Sequence, residues 1–334
     1  MLPRIKRRYA SYQYVLVGAD FFSEGGAWRS IYLLYRYLET KGVSVLLIDL
    51  RRGDGWRQWV CALLFSPRII VNGMAALTRW LVLCGLNCRH DANVYLHDTA
   101  FSLDALQYDK PYLYNYLAQL LKSRTVLCVS SQMADLYLNR FGARNTVIVH
   151  EITQIQPEPV LQPGIFHIVM VGTLCRRKGY NLFVDVAEYA SCHALPWQFH
   201  WIGGLGESDL APVSQIITWW GWRESAAPLL RQADLFFLSS VDDPQPLACL
   251  EALSYGKRVV AYAGTGTAEL IRGLVGCQVY DEYVAIAAVD AIREAFECNP
   301  ELDSYYTKLD KYASVHSFLE RIEGTLSDHS TKLQ

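Results

Sequence analysis

Short β-branched runs alternate with helix-period patterns along nearly the whole chain, and the alternation breaks once, at a proline-rich stretch, before it restarts. Strand, helix, strand in this rhythm is the pattern of parallel strands joined by crossover helices. In the first half it predicts strands at Tyr14 to Gly18, Val43 to Leu50, Arg68 to Val71, Val94 to His97, Val126 to Ser130 and Thr146 to Val149. Helical patterns at Ala27 to Lys41 and Ser131 to Phe141 lie between them. The segment Thr153 to Gly164, "TQIQPEPVLQPG", carries three prolines and reads as an extended linker. The second series follows in "FHIVMVG", "QFHWIGG", "IITWWG", "DLFFLSS", "RVVAYAG" and "CQVYD", with a helical pattern expected between each pair.

The expectation is an α/β chain of two Rossmann-like domains: 1–152, a linker at 153–164, 165–300, and a polar helical tail at 301–334 that can return to the N-terminal domain. A length of 334 residues accommodates two such domains, and 51% hydrophobic content with 19% charged residues excludes a disordered chain. The net charge of -2 hides an asymmetry. Residues 1–155 hold 18 basic and 11 acidic side chains, net +7, and the remainder holds 13 and 22, net -9.

Nine cysteines include no Cys-x-x-Cys pair, and Cys84 and Cys88 have no histidine cluster beside them, so a zinc site is not indicated and a reducing cytoplasm fits. The basic start "MLPRIKRRYASYQYVLVG" has no small-residue cleavage site and runs into a strand pattern, which excludes a signal peptide. Trp56 to Leu86 is apolar but interrupted by Arg57, Pro67, Arg68, Asn72-Gly73 and Arg79. A span needs about 20 largely uninterrupted apolar residues, so helix, buried strand, helix is the better parse.

Two glycine turns stand at strand-to-helix junctions. Gly25-Gly26 precedes the first long helix, where backbone N–H groups suit a diphosphate, although a tight turn needing glycine dihedrals explains the pair as well. It is neither a Gly-x-Gly-x-x-Gly fingerprint nor a P-loop. "GTGTAEL" offers a second helix start, with Thr265, Gly266 and Thr267 as phosphate donors and Glu269 in the first turn.

The most informative segment is "SSVDDPQPLACLEALSYGKRVVAYAGTGTAELI", Ser239 to Ile271, in which Asp243 and Glu251 lie eight apart across a loop and a helix. Ligands of open parallel sheets bind off the strand C-termini, so these polar groups converge on one crevice. The segment resembles the signature of glycosyltransferase family 4, retaining enzymes of the GT-B fold, with two Rossmann-like domains facing each other across a cleft. Asp243 falls on the first acidic position, Pro246 and Leu247 on the loop, Glu251 on the second acid, and Gly256 to Ala261 on the turn and strand. The resemblance extends through "VMVGTLCRRKGYNLFVDVA", "FHWIGG" and "ADLFFLSS", and more loosely through the N-terminal half.

The resemblance implies that Glu251 holds the ribose hydroxyls and Asp243 the hexose of a nucleotide sugar. Asp243 replaces the usual glutamate, which withdraws the carboxylate by about 1.5 Å. The phosphate contacts fall to Lys178 and to a basic residue after the first glycine; Thr173 stands there instead, leaving Arg176 or Arg177 to substitute. Cations at these places stabilise the charge of a leaving diphosphate. No Asp-x-Asp motif occurs, so metal-independent chemistry is expected.

His97 ends a strand where relatives often carry a histidine near sugar and acceptor, so it joins the candidate catalytic set of Asp243, Glu251, Lys178 and Arg177. Trp28, Tyr32 and Trp56 are candidate sugar-stacking groups, although aromatic residues at helical spacing are more often core. Arg4, Lys6, Arg7, Arg8, Arg51, Arg52 and Arg57 form basic clusters that suit an anionic membrane face.

The function implied is transfer of a hexosyl group from a nucleoside-diphosphate sugar to a glycan or lipid-diphosphate-linked acceptor in cell-surface polysaccharide synthesis. No cofactor and no nucleic-acid partner are expected, and the location is cytoplasmic, at the inner face of the plasma membrane. A non-catalytic nucleotide-sugar or glycan-binding relative and a GT-B sugar-nucleotide epimerase are the alternatives.

Overall fold

The computed structural model describes residues 12–19, 27–51, 68–78, 92–154, 156, 165–207, 210 and 215–331. The chain divides into two compact units, Met1–Ile152 with Val315–Gln334, and Thr153–Ser314. Each holds its own six-stranded parallel sheet and its own hydrophobic core.

In unit 1 the strands are β1 (Tyr14–Gly18), β2 (Val45–Asp49), β3 (Arg68–Asn72), β4 (Asn93–Leu96), β5 (Val126–Cys128) and β6 (Thr146–Ile148), in the order β2-β1-β3-β4-β5-β6. Strands β1, β4 and β5 are buried along their full length, as expected of strands covered on both faces. The helices are α1 (Ala27–Thr40), α2 (Ala100–Asp109), α3 (Pro111–Leu121) and α4 (Ser131–Phe141). Local chemistry sets their ends. Thr99 and Ser130 cap α2 and α4 by accepting from the Ser102 and Met133 N–H groups, Pro111 opens α3, and Gly142 closes α4 in the left-handed region at φ +67°.

Unit 2 carries β7 (Phe166–Val171), β8 (Trp197–Ile202), β9 (Ile217–Trp219), β10 (Leu235–Leu238), β11 (Arg258–Tyr262) and β12 (Gln278–Tyr280), in the order β12-β11-β10-β7-β8-β9. Its helices are α5 (Tyr180–Cys192), α6 (Ala227–Gln232), α7 (Leu247–Ser254), α8 (Thr267–Ile271), α9 (Ala285–Glu297) and α10 (Leu302–Ala313). Phe183 of α5 meets Phe199 and Trp201 of β8 edge-on at 5.5 and 5.2 Å, anchoring the helix to one face of the sheet.

The segment read as a single tail divides at Ser314. Helix α10 stays in unit 2 against α7, and the last helix, Val315–Thr331, belongs to unit 1. There Phe318 packs edge-on to Tyr95 at 5.3 Å, Tyr14 donates to Glu323 at 2.8 Å, and Arg321 donates to the Ile148 carbonyl at 2.6 Å. The charge division follows the units. Unit 1 with its returning helix holds 20 basic and 14 acidic residues, net +6, and unit 2 holds 11 and 19, net -8.

A stack of rings crosses one face of the unit 2 sheet. Trp220 donates to His200 Nδ1 at 3.4 Å, and His200 Nε2 stands 3.0 Å from His167 Nδ1. Indole only donates, so His200 Nδ1 accepts, its Nε2 carries the proton, and His167 Nδ1 accepts in turn. Burial, assisted by His167, lowers the His200 pKa to about 4. Below the ordinary histidine value the unfolded chain takes up a proton that the folded one refuses, so stability falls as pH drops from about 6.5 toward 4. The melting temperature should decline over that window, and the decline should be smaller in His200→Gln.

Candidate functional site

The strand order of unit 2 reverses between β7 and β10. The chain runs from β7 outward to β9, returns, and lays β10 on the other side of β7 before moving outward again. Such a switch point opens a crevice beyond the carboxyl ends of the two central strands, because the segments leaving them part to opposite faces. The segments leaving β7 and β10 carry the residues singled out by the sequence.

After β7 the chain makes a turn at Gly172, a short 3-10 turn at Arg176–Lys178, and enters α5 through Gly179. The Gly172 carbonyl accepts from the buried Trp201 indole at 2.9 Å. Gly203 lies directly beneath, where a Cβ would come within 1.9 Å of that same oxygen. Gly179 has φ +73°, and a Cβ on it would sit 1.8 Å from the Ser239 carbonyl. Two glycines thus let the loop after β7 lie on its neighbours at backbone contact distance.

The loop after β10 is stitched to this one. Val241 N–H donates to the Arg177 carbonyl at 3.0 Å, Ser239 Oγ to the Lys178 carbonyl at 2.9 Å, and Tyr283 to the Ser239 carbonyl at 2.7 Å. The Arg177 guanidinium donates to the Asp242 carbonyl at 2.8 Å. Lys178 pairs with Asp243 Oδ2, which also accepts from Ser240 Oγ at 3.2 Å. Glu251 lies one helix further on, partly buried in the middle of α7, which Pro246 starts from extended backbone. Lys178, Arg177, Asp243, Pro246, Leu247 and Glu251 therefore lie on the loops and helix that leave β7 and β10.

The other residues expected at the site also meet neighbouring protein groups. The Thr265 hydroxyl donates to the Tyr262 carbonyl at 2.7 Å, its N–H to the same carbonyl at 3.1 Å, and Gly266 N–H to the Asp243 carbonyl at 2.9 Å. Thr267 is fully buried. The Thr265 bonds close the loop, and the Gly266 bond braces it against Asp243. Glu269 stands partly buried in the first turn of α8. Arg176 is exposed and holds Glu207 at 2.5 Å, with a second bond from its backbone N–H at 3.1 Å.

In unit 1, His97 follows β4 with both ring nitrogens engaged. Nε2 is 2.7 Å from Asn72 Oδ1 at the end of β3, and Nδ1 is 2.6 Å from Glu151 Oε1 beyond β6. The Nδ1 approach to the nearly buried Glu151 carboxylate lies off the line of a good hydrogen bond. Tyr95 also reaches Glu151, at 3.5 Å, and burial beside that carboxylate raises its phenol well above the ordinary value. Burial raises the neighbouring Asp98 carboxyl too, against the Met74 N–H that donates to it at 3.1 Å. His97 is thus a strand-end residue held between Asn72 and Glu151. Asn72 and Glu151, the partners of His97, were not singled out by the sequence; Asn72 ends β3 and Glu151 follows β6, both at the carboxyl ends of strands of one sheet.

Trp28 and Tyr32 stack edge-on within α1 at 5.9 Å, in keeping with a packing role. Gly25, Gly26, Trp56, Arg4, Lys6, Arg7, Arg8, Arg52 and Arg57 lie outside the described residues. Among the described residues no group of three or more His, Cys, Asp or Glu could hold a metal ion, and no helix is long and apolar enough to cross a membrane.

Residues 165–297 match the family model described as "Glycosyl transferases group 1". No curated protein matches the chain in sequence. Among solved structures, the Anabaena protein HepE, crystallised in complex with UDP-glucose, aligns at TM-score 0.71 and 16% identity over 94% of this chain and 99% of its own. Sucrose-phosphate synthase from Thermosynechococcus elongatus aligns at TM-score 0.72 and 16% identity over 96% and 100%. Staphylococcus aureus TarM, crystallised with fondaparinux, alpha-GlcNAc-glycerol and UDP, aligns at TM-score 0.61 and 15% identity over 78% of this chain and 55% of that one. The fold is GT-B: two Rossmann-like domains, each on a parallel six-stranded sheet.

Gly179→Ala tests the stitching of the two loops. The left-handed conformation alone costs alanine roughly 1–2 kcal/mol, and the clash with Ser239 adds to it. Thermal unfolding should show a clear loss of stability, with the loop that carries Lys178 displaced from Asp243.

Proposed function

We propose that this protein is a retaining glycosyltransferase that moves a hexose from a nucleoside-diphosphate sugar to a glycan or lipid-linked acceptor, in the synthesis of cell-surface polysaccharide. The observation that carries the reading is the meeting of Lys178, Arg177 and Asp243 at the β7/β10 switch point, with Glu251 in the following helix. The match of residues 165–297 to the group 1 model supports it, as do fold neighbours crystallised with UDP and sugars. Uridine diphosphate sugars are accordingly the first donors to test.

In this reading Glu251 accepts from the ribose hydroxyls, and Lys178 and Arg177 face the diphosphate. The bond between the anomeric carbon and the diphosphate oxygen breaks, and the acceptor oxygen bonds to that carbon on the same face. The acceptor proton passes to the departing phosphate, so the chain needs no covalent nucleophile. The negative charge that develops on the leaving group is met by cations already held in place, which spares reorganisation at the moment of reaction. Acceptor binding is assigned to the basic unit 1, whose field suits an anionic membrane face.

A second reading, a nucleotide-sugar-binding protein without turnover, is favoured by one observation: the Asp243 carboxylate is occupied by Lys178. Radiolabelled nucleotide sugars with membrane extracts separate the two. Label transfer should fall by about 10²-fold or more in Lys178→Ala, the scale seen when one transition-state donor is removed, and Glu251→Ala should raise the donor KM. Binding without transfer by the wild type decides for the second reading.

A further inference from the structure

Asp243 stands where the resemblance places a group that touches the donor's sugar, but its carboxylate serves a neighbour. Oδ2 takes both the Lys178 ammonium and the Ser240 hydroxyl. The Asp243 side chain is 5% exposed and that of Lys178 14%, so the pair is little screened by salt, and either charge alone would be costly to bury. Both partners are fixed beyond this contact. The Asp243 carbonyl accepts from Gly266, and the Lys178 N–H donates to the Cys175 carbonyl at 3.1 Å. The Lys178 stem lies along the Gly172 turn, where a Cβ would come within 3.3 Å of its Cε.

We infer that Asp243 is a positioning residue that competes with the donor's diphosphate for Lys178. The inference rests on the donor-site reading above. The carboxylate holds the ammonium at the mouth of the Gly172 turn, and an incoming diphosphate must draw that ammonium away from it. When the nucleoside diphosphate is the product, the carboxylate reclaims the ammonium, which weakens the grip on the product and speeds its departure. In a unit with a net charge of -8, this exchange leaves Lys178 less than a full free cation to offer.

Titration calorimetry of the full chain with UDP, GDP and ADP, none of which carries a sugar, tests this apart from any sugar contact. Asp243→Asn, and equally Asp243→Ser, should bind the preferred nucleoside diphosphate about tenfold more tightly than the wild type, the scale of one charge-assisted contact. That gain should vanish when either change is combined with Lys178→Gln, because the competition requires the ammonium. Unchanged or weaker binding in Asp243→Asn overturns the inference, as does a gain of equal size in the Lys178→Gln background. Wild-type protein that binds none of the three overturns the donor-site reading, and the inference with it.

Discussion

The reversal of strand order between β7 and β10 is the constraint on which the candidate site depends. Parallel strands must be joined by crossovers, and where consecutive crossovers move in opposite directions the segments beyond the strand ends part and leave room for a ligand. Residues 178 and 243 are 65 positions apart in sequence, yet each follows one of the two strands flanking that point. Close backbone approach completes the geometry. Gly203 beneath the Gly172 carbonyl and Gly179 against the Ser239 carbonyl occupy places that no side chain could enter.

Electrostatics refine what the topology assembles. Unit 2 is acidic overall, so on the proposed reading affinity for an anionic donor has to come from local cations acting against the unit's field. Lys178 and Arg177 are such cations, but neither is simply solvated. Arg177 is fastened to the Asp242 carbonyl and Lys178 to the Asp243 carboxylate. Fastening lowers the entropy lost on contacting a phosphate and at the same time takes away part of the charge. On the proposed reading, the balance between these effects governs how tightly a diphosphate is held and how readily it leaves.

Much of the fold was legible in the sequence. Alternating strand and helix patterns located every described strand to within about two residues, because buried parallel strands are continuous apolar runs and the helices between them are capped by Ser130, Gly142 and Pro111. Of the candidate site, the resemblance of the loop and helix signatures singled out Lys178, Asp243 and Glu251. It could not show that the hydroxyls of Thr265 and Thr267 turn inward, that Arg176 swings out to Glu207, or that His97 is caught between Asn72 and Glu151. Each of these depends on a partner, and in the cases of Arg176 and His97 that partner lies 25 or more residues away.

The sequence by itself determined two parallel α/β units, their charge difference and the residue types able to meet a nucleoside diphosphate. The first two follow from local periodicity and composition, and the third from the resemblance of the loop signatures. Only the tertiary structure decided which neighbours each of these groups meets. It also decided that the C-terminal segment divides, one helix staying with unit 2 and the last returning to unit 1. The physical reason is common to both outcomes: a polar side chain or an amphipathic helix is satisfied by whatever surface the completed fold places beside it, and that surface is assembled from distant parts of the chain.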